Sequence, residues 1–356
     1  MSEETVEDVK IEEQPKKKKK NKNVVCVGLD CGTMHLVAAR SDTNEVRVTR
    51  NVFLPVDKEE IDLTSLTKIN YVEGPDNELF IIGSDAFEFA NLFGQPVSRP
   101  MEKGLISSSE WSAIDVLTLM IKDLIGETKD KEVYCSYSIP AEPIDEERSV
   151  IYHEKVFARI LNNIGVNYTS VNEGMAIIYS ECAKENFSGI AISFGAGMAN
   201  CAIAYKGIEA HKFSTARAGD WIDNMTSKAS GIVPNRVTNI KEKYMKLRGE
   251  VEVKAKQTKR VLEGLYYHHE ALIDYTIKRI IKEFEEKVDM EVDEKIPVVI
   301  AGGTSIPEGF VNLFKTSLQG YELPFDVSEV RRAKNPLTTV ANGLLVRTMA
   351  DVKGKI

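Results

Sequence analysis

The chain alternates short, mostly apolar runs with longer segments in which apolar residues recur at helical spacing. Continuous runs of this kind are typical of strands buried on both faces of a sheet, and they occur at residues 24–29, 189–194 and 296–301. Further extended patterns predict strands at 35–40, 166–171 and 201–205. Helical periodicity predicts helices at 111–125, 151–164, about 174–184, 272–288 and 338–349. This alternation of strands and helices predicts an α/β fold.

One supersecondary element occurs twice, once in each half of the chain. Strand 24–29 runs into the turn sequence DCGT and returns along 35–40, and strand 189–194 runs into GAG and returns along 201–205. Each unit is typical of a β-hairpin with a glycine turn. Asp30 and Ser193 occupy the same place in the two hairpins. The repetition predicts a duplicated architecture of two similar lobes.

Composition narrows the class of protein without identifying its chemistry. The 356 residues are enough for two domains, and 43% hydrophobic with 28% charged residues is ordinary for a globular protein. A net charge of -8 argues against a protein that mainly coats nucleic acid. No apolar run reaches the roughly 18 residues of a membrane span. Five scattered cysteines without a CxxC pair, and no signal peptide, lead us to expect a cytoplasmic protein.

The first 23 residues differ from the rest of the chain. They are acidic up to Glu13 and then basic from Lys16 to Lys20, with too few apolar residues to form a core. We therefore expect a disordered tail. A solubilising role is favoured, and contact with a membrane or nucleic acid through the lysines is the weaker alternative. Residues 241–260 are also basic and are interpreted mainly as solvated surface.

The two glycine turns have a definite chemical use. Glycine lets successive backbone N–H groups approach an anion closely and form a nest around it, and Thr33 adds a hydroxyl donor. The carboxylate of Asp30 would repel phosphate, but it can hold a hydrated Mg²⁺ ion that phosphates also bind. Two such turns facing each other would clamp a polyphosphate from both sides.

A third element follows the apolar strand at 296–301. Here Gly302 and Gly303 would allow flat contact between the backbone and a planar ring such as adenine. An ordinary tight turn is the alternative, and this element by itself does not decide between the two.

The order of these three elements, together with four shorter motifs, resembles the actin-like ATPase superfamily, and most closely the bacterial actins of the MreB and MamK type. The motifs are RPMEKGLI at 99–106, AGDWID at 218–223, IKEK at 240–243 and NPLTTVANG at 335–343. The resemblance implies an actin-like (ribonuclease H-like) duplicated two-lobed α/β fold with a nucleotide cleft. The first lobe would comprise 24–173 and 335–356, with a small insertion at about 45–97. The second would comprise 174–334, with an insertion at about 224–270.

The resemblance also implies roles for individual residues. Asp30 would hold the water shell of Mg²⁺, and Glu173 would orient the attacking water and accept its proton. ATP would be bound by Gly32, Thr33, Met34, Gly195, Ala196, Gly197, Gly219, Asp220, Lys241, Glu242, Gly302, Gly303 and Thr304. Ser193 stands where the family usually has Asp, so it can act on the metal only weakly, through a bound water. The missing carboxylate predicts slow ATP hydrolysis.

The implied function is an ATP-dependent cytoskeletal filament, in which identical subunits associate head to tail. Three alternatives stay open. The first is a plasmid- or phage-DNA-segregating actin that meets an adaptor protein, the second is a small-molecule kinase of the same fold, and the third is an ATP-binding adaptor that does not polymerise.

Overall fold

The structure is a computed structural model, and it describes residues 23–57, 69–74, 78–93, 96–107, 112–249, 251–289 and 292–354. The expected disordered tail therefore lies outside the described residues, except for Asn23, which begins the first strand. Trp111, the first apolar residue of a predicted helix, and several turn residues of the predicted insertion at 45–97 also lie outside them.

The elements of the first half follow in the order β1 (Asn23–Cys31), β2 (His35–Arg40), β3 (Val46–Arg50), β4 (Phe53–Val56), β5 (Tyr71–Glu73), β6 (Leu79–Ile82), α1 (Gly83–Phe93), β7 (Met101–Glu102), β8 (Leu105–Ile106), α2 (Ala113–Ile125), β9 (Lys131–Ile139), α3 (Ile151–Asn163), β10 (Asn167–Asn172) and α4 (Glu173–Glu181). The second half continues with β11 (Gly189–Phe194), β12 (Ala199–Tyr205), β13 (Ile208–Thr215), α5 (Gly219–Ser230), α6 (Pro234–Tyr244), α7 (Lys256–Lys287), β14 (Ile296–Ala301), α8 (Phe310–Leu318), β15 (Val327–Arg332) and α9 (Thr339–Lys353).

Two five-stranded sheets share one topology. The first has the order β10-β9-β1-β2-β3, and the second has the matching order β15-β14-β11-β12-β13. In each sheet the central strand begins an antiparallel meander on one side and pairs in parallel on the other. Asp30 pairs with Val37 and Ser193 with Asn200, each one pair before the end of its hairpin ladder. The predicted hairpins and the duplicated two-lobed fold are thus confirmed.

The helices fill the space between and outside the sheets in layers. Helices α2 and α3 cover one face of the first sheet, and α9 lies on its other face. Helix α4 packs on the second sheet and against α9, so that α4 and α9 form the middle of the molecule. The apolar faces of α5 to α8 cover the outer face of the second sheet. Among the described residues, no helix combines the length and apolarity needed to span a bilayer.

Two predicted elements need correction. The helix predicted at 272–288 begins at Lys256, because Val261, Leu265 and His269 continue its buried stripe at helical spacing, while the basic residues Lys256, Lys259 and Arg260 before that stripe are exposed. The helix predicted at 174–184 already ends at Glu181. The basic composition of the segment before 272 concealed the early start of the long helix.

Part of the predicted insertion belongs to the first sheet. Strand β3 pairs with β2, whereas β4, β5 and β6 form a separate three-stranded sheet with α1 and a small apolar cluster of their own. The boundaries of the two lobes and of their insertions stay a prediction.

The crossing of α4 and α9 is the closest approach of helix backbones in the middle layer. At Gly343 of α9, an added Cβ would overlap the carbonyl oxygen of Ala176 in α4. At Gly174 of α4, a Cβ would be only 2.6 Å from the side chain of Ala202 in β12. Glycine at these two points lets α4 lie directly against both neighbours.

Substituting Gly343 by Ala tests this crossing. The substitution has two opposite effects on stability, a higher helix propensity and a steric clash. Helix propensity alone would stabilise the protein by about 1 kcal/mol. The clash with the Ala176 carbonyl should outweigh it, and we expect the free energy of unfolding to fall by about 1–3 kcal/mol in urea titrations. Gly354→Ala is the matched control, because its added Cβ would lie 3.6 Å from the Ala350 carbonyl oxygen, an ordinary van der Waals contact. A Gly343→Ala variant as stable as the control would contradict the close crossing.

Candidate functional site in the cleft between the lobes

A cleft of about 500 Å³ opens between the two lobes, at the carboxyl ends of the central strands β1 and β11. It brings together almost all residues that the sequence indicated, which lie on both hairpin turns and on the segments after them. These are Asp30, Gly32, Thr33, Met34, Glu173, Ser193, Gly195, Ala196, Gly197, Asp220, Lys241, Glu242, Gly302, Gly303 and Thr304. Gly219 does not line the cleft; its N–H donates to the Gly195 carbonyl (3.1 Å) from behind the turn.

The first turn is held from behind by the buried side chain of Asn51. Its Nδ2 donates to the Gly32 carbonyl (3.0 Å) and its backbone N–H donates to the Met34 carbonyl (2.7 Å). The N–H groups of Gly32, Thr33 and Met34 have no acceptor among the described residues. The turn therefore presents three consecutive amide donors, an arrangement that suits an anion.

The second turn is held in the same way by a different element. The first N–H groups of α5 donate to the carbonyls of Gly195 and Ala196 (3.1 and 2.8 Å), and Thr304 Oγ1 also donates to Gly195 (2.8 Å). Within the described part of the chain, the N–H groups of Ala196 and Gly197 meet no acceptor. The turns of both lobes touch, since a Cβ on Gly197 would lie 2.5 Å from Thr33 Oγ1. Amide donors thus line the cleft from both lobes.

Asp30 and Glu173 place two carboxylates at the floor of the cleft. Asp30 is the last residue but one of β1. Glu173 begins α4, whose first turn is capped by Asn172 Oδ1 accepting from the N–H groups of Gly174 (2.9 Å) and Met175 (3.3 Å). Burial raises the pKa of Asp30. Burial and the charge of Asp30 raise the pKa of Glu173 as well. A cation between two desolvated carboxylates that repel each other would stabilise their charged forms.

Three neutral groups orient these carboxylates. Ser138 Oγ donates to Asp30 (2.9 Å) while accepting from the Cys31 N–H (2.7 Å). Asn200 Nδ2 donates to Glu173 (3.0 Å), and its Oδ1 accepts from the Ala141 N–H (3.0 Å). A hydrogen bond from Ser193 also opposes the rise in the pKa of Glu173.

The oxygen-rich floor fits a hard cation such as Mg²⁺. The described residues contain no group of three or more His, Cys, Asp or Glu side chains arranged around a metal position. A cation between Asp30 and Glu173 would therefore need further ligands from water or from a bound anion. This is the chemistry expected where a metal is held jointly by a protein and by phosphates.

The segment after β14 contributes a glycine turn and apolar neighbours to the cleft. Gly302 adopts a left-handed conformation (φ 87°), and a Cβ there would overlap the backbone of Phe194. Its N–H donates to the Pro336 carbonyl (2.8 Å), which fixes the turn that carries Gly303 and Thr304. Apolar residues that face this part of the cleft include Met245, Ile306, Pro307 and Leu337. The slot suits a planar ring.

Three predicted residues already have charged partners in the structure. Lys241 Nζ lies 2.8 Å from the buried carboxylate of Asp223, within the second lobe. Glu242 and Asp220 instead pair across the cleft, with Arg50 (2.6 Å) and Arg99 (3.0 Å) of the first lobe. The arginines therefore link the lobes at the cleft, and the roles of these three residues toward a ligand stay a prediction.

Sequence reasoning missed five residues that shape the site: Asn51, Arg50, Arg99, Ser138 and Asn200. Two of them carry a signal in the sequence. Ser138 and Asn200 are polar residues inside otherwise buried strands, next to Asp30 and opposite Ser193. Arg99 begins the motif at 99–106, but that motif gave it no role in the site. For Asn51 and Arg50 the chain shows no local signal, because their partners lie far away in sequence.

Comparison with known proteins agrees with this architecture. A family model described as Volactin matches residues 25–348. No curated protein sequence matches the chain. The structure titled "MamK double helical filament" is similar, with a TM-score of 0.68 at 19% identity over 92% of this chain and 99% of that one.

Two further solved structures have the same fold. MreB5 of Spiroplasma citri bound to AMPPNP has a TM-score of 0.66 at 13% identity, over 93% of this chain and 98% of that one. The apo form of the psk41 ParM protein has a TM-score of 0.56 at 15% identity, over 94% and 99%. The resemblance to actin-like proteins is confirmed at the level of the fold.

The buried pair of Lys241 and Asp223 gives a direct test of the cleft wall. Lys241→Met should lower the free energy of unfolding by about 3–5 kcal/mol, because it leaves a buried carboxylate without its counter-charge. The double variant with Asp223→Asn should recover most of that loss. Lys243→Met, at an exposed neighbour, should stay within about 0.5 kcal/mol of the unmodified protein. Urea unfolding measures the free energy of unfolding of each variant. An equal decrease in the Lys241 and Lys243 variants would show that the Lys241–Asp223 pair does not stabilise the protein.

Proposed function

Because this chain belongs to the Volactin family and has the actin-like fold, we propose that it binds ATP between its lobes and assembles into filaments. The observation that carries the proposal is the convergence of two rows of amide donors on one cleft. Gly32, Thr33 and Met34 supply one row, and Ala196 and Gly197 supply the other. A triphosphate chain fits such a clamp, because each row can bind phosphate oxygens from its own side.

The rest of the cleft supports a purine nucleotide. The turn of Gly302 to Thr304 lines the cleft together with apolar neighbours such as Met245, Ile306 and Leu337, and these surfaces form the slot proposed for the ring. MreB5 of Spiroplasma citri was solved with AMPPNP and with ADP. That observation concerns MreB5, and it supports the choice of an adenine nucleotide here.

Magnesium is the cofactor that we propose alongside ATP. When bound, Mg²⁺ neutralises phosphate charge and polarises the phosphorus–oxygen bond. In this chain Asp30 would face the ion, oriented by the hydrogen bond from Ser138. Glu173 would orient the attacking water and accept its proton, with its carboxylate fixed by Asn200.

We propose that hydrolysis is slow. Ser193 occupies in the second lobe the position that Asp30 occupies in the first, so the second lobe contributes no carboxylate at this point. A serine hydroxyl can bind a metal-bound water but adds no charge. Nucleotide binding needs mainly the amides and the slot, and neither depends on Ser193.

Self-association is the proposed outcome of nucleotide binding. One of the similar structures is a double helical filament of MamK. A head-to-tail contact between identical copies of one chain produces a polymer when its rotation does not close into a ring. ATP bound to both lobes would favour the closed arrangement and could select the conformation that polymerises.

The lobe boundaries form part of the same proposal. All strands of the first sheet lie between Asn23 and Asn172, and all strands of the second lie between Gly189 and Arg332. These limits support lobes of residues 24–173 with 335–356 and of residues 174–334.

Sedimentation with and without nucleotide tests the filament. We expect the protein to pellet with Mg-ATP, to pellet less with ADP, and to show filaments by electron microscopy. Gly197→Val should abolish both ATP uptake in calorimetry and pelleting, because the side chain would enter the contact between the two turns. Gly354→Ala serves as the control. Absence of ATP uptake by the unmodified protein would disprove the nucleotide site, whereas uptake without pelleting at any concentration would favour an adaptor or a kinase.

The role of Ser193 is tested by restoring the carboxylate. Ser193→Asp should raise the rate of ATP hydrolysis by about 10²–10³-fold, the size of effect that one electrostatic catalytic group contributes. Ser193→Ala removes the hydroxyl without adding charge, and it should give no increase. Phosphate release under saturating Mg-ATP measures both variants. An Asp variant no faster than the unmodified protein would contradict the explanation of slow turnover.

A further inference from the structure

The two five-stranded sheets have four edge strands, and three of them are protected. Strand β3 carries Arg47 and Arg50, and β15 carries Glu329, Arg331 and Arg332. The edge of β13 is covered by a bridge from Pro143 to Ser214. Charged side chains and covering segments are the usual means by which proteins prevent an edge from pairing with another chain.

Strand β10 has none of these protections. Its sequence, NYTSVN, contains no charged residue, no proline and no bulge. Asn167, Tyr168 and Thr169 are exposed, and within the described part of the chain only β9 pairs with the strand. Ile151 and Tyr152, at the start of the adjacent helix α3, are 55% and 60% exposed. An open edge with apolar neighbours is a surface that another strand can join.

We propose that β10 pairs with β10 of a second copy of this chain, antiparallel and around a two-fold axis. The absence of charge favours self-pairing, since a strand that meets its own copy brings identical charges together. The equivalent edge β15 would oppose charged residues to charged residues in this way. A two-fold contact also covers the exposed edge of both copies at once.

The geometry of antiparallel pairing restricts the register. Directly opposite residues must lie on the same face of the combined sheet, so residues of equal parity face each other. An axis through Thr169 places the two Thr169 side chains opposite each other and Tyr168 opposite Ser170 of the second copy. Threonine pairs of this kind are among the favourable cross-strand pairs. The two sheets would then continue as one of ten strands.

This contact is separate from the cleft. None of the six residues of β10 lines the 500 Å³ site. The contact therefore goes beyond the proposed function, and it can be examined in nucleotide-free protein, where failure to bind ATP or to polymerise has no influence on the result.

Disulfide trapping tests the register directly. Opposite residues in an antiparallel pair have Cα atoms about 4.5–5.5 Å apart, within the range that a disulfide needs. All five native cysteines are buried, so Thr169→Cys introduces an exposed thiol against a silent background. Mild oxidation should convert this variant to a covalent dimer. Ser328→Cys is the control at an exposed position of β15, the corresponding edge strand of the second sheet, and it should stay monomeric.

Mass measurement provides the second arm. We expect unmodified, nucleotide-free protein to have twice the chain mass of 39.8 kDa in light scattering. Thr169→Lys should shift it to the monomer by placing two like charges opposite each other, without loss of ATP uptake, and Ser328→Lys should leave the dimer intact. Three results would each overturn the proposal. The unmodified protein could be a monomer, the Thr169 and Ser328 cysteine variants could form disulfide dimers to the same extent, or the dimer could persist in Thr169→Lys. If the Thr169→Cys variant folds but forms no covalent dimer, the proposed self-pairing is wrong, and a strand from a different protein becomes the candidate partner of β10.

Discussion

The direct packing of α4 against α9 is the constraint on which the rest of the structure depends. Gly343 brings the backbone of α9 onto that of α4 at Ala176, and each helix lies on the sheet of its own lobe. The thickness of this middle layer sets the distance between the two sheets. It therefore sets the separation of the hairpin turns, and so whether both can reach the same ligand. Glu173, at the first turn of α4, is placed in the cleft by the same packing.

The two lobes share a scaffold but differ in chemistry. In the first lobe Asp30 stands beside Ser138 of the neighbouring strand; in the second lobe the same two positions hold Ser193 and Ala301. The turns are also supported differently, by the side chain of Asn51 in one lobe and by the start of α5 in the other. Duplication thus conserves the placement of amide donors, while the acidic group is confined to one side. At these two matched positions, a ligand bound between the lobes meets a carboxylate on one side and a hydroxyl on the other.

Local pattern in the sequence was sufficient for the strands, the hairpins and the positions of the glycine turns. These features depend on residues close together in the chain, as in 24–40 and 189–205. The partners of Asp220, Lys241 and Glu242 could not be predicted, because the ion pairs depend on how distant elements pack. The early start of α7 was missed for a related reason: its buried stripe at Val261 and Leu265 follows directly on basic residues that only the fold shows to be helical.

The ion pairs of Arg50 with Glu242 and of Arg99 with Asp220 bear on the kinetics of the cleft. Each joins the first lobe to the second, with one partner on either side of the opening. A wider opening of the lobes separates both pairs, and their charges are then hydrated again. The residence time of a ligand in the cleft then depends on the opening and closing of the lobes as well as on the ligand's own contacts. Ligand exchange is thereby coupled to the relative motion of the two lobes.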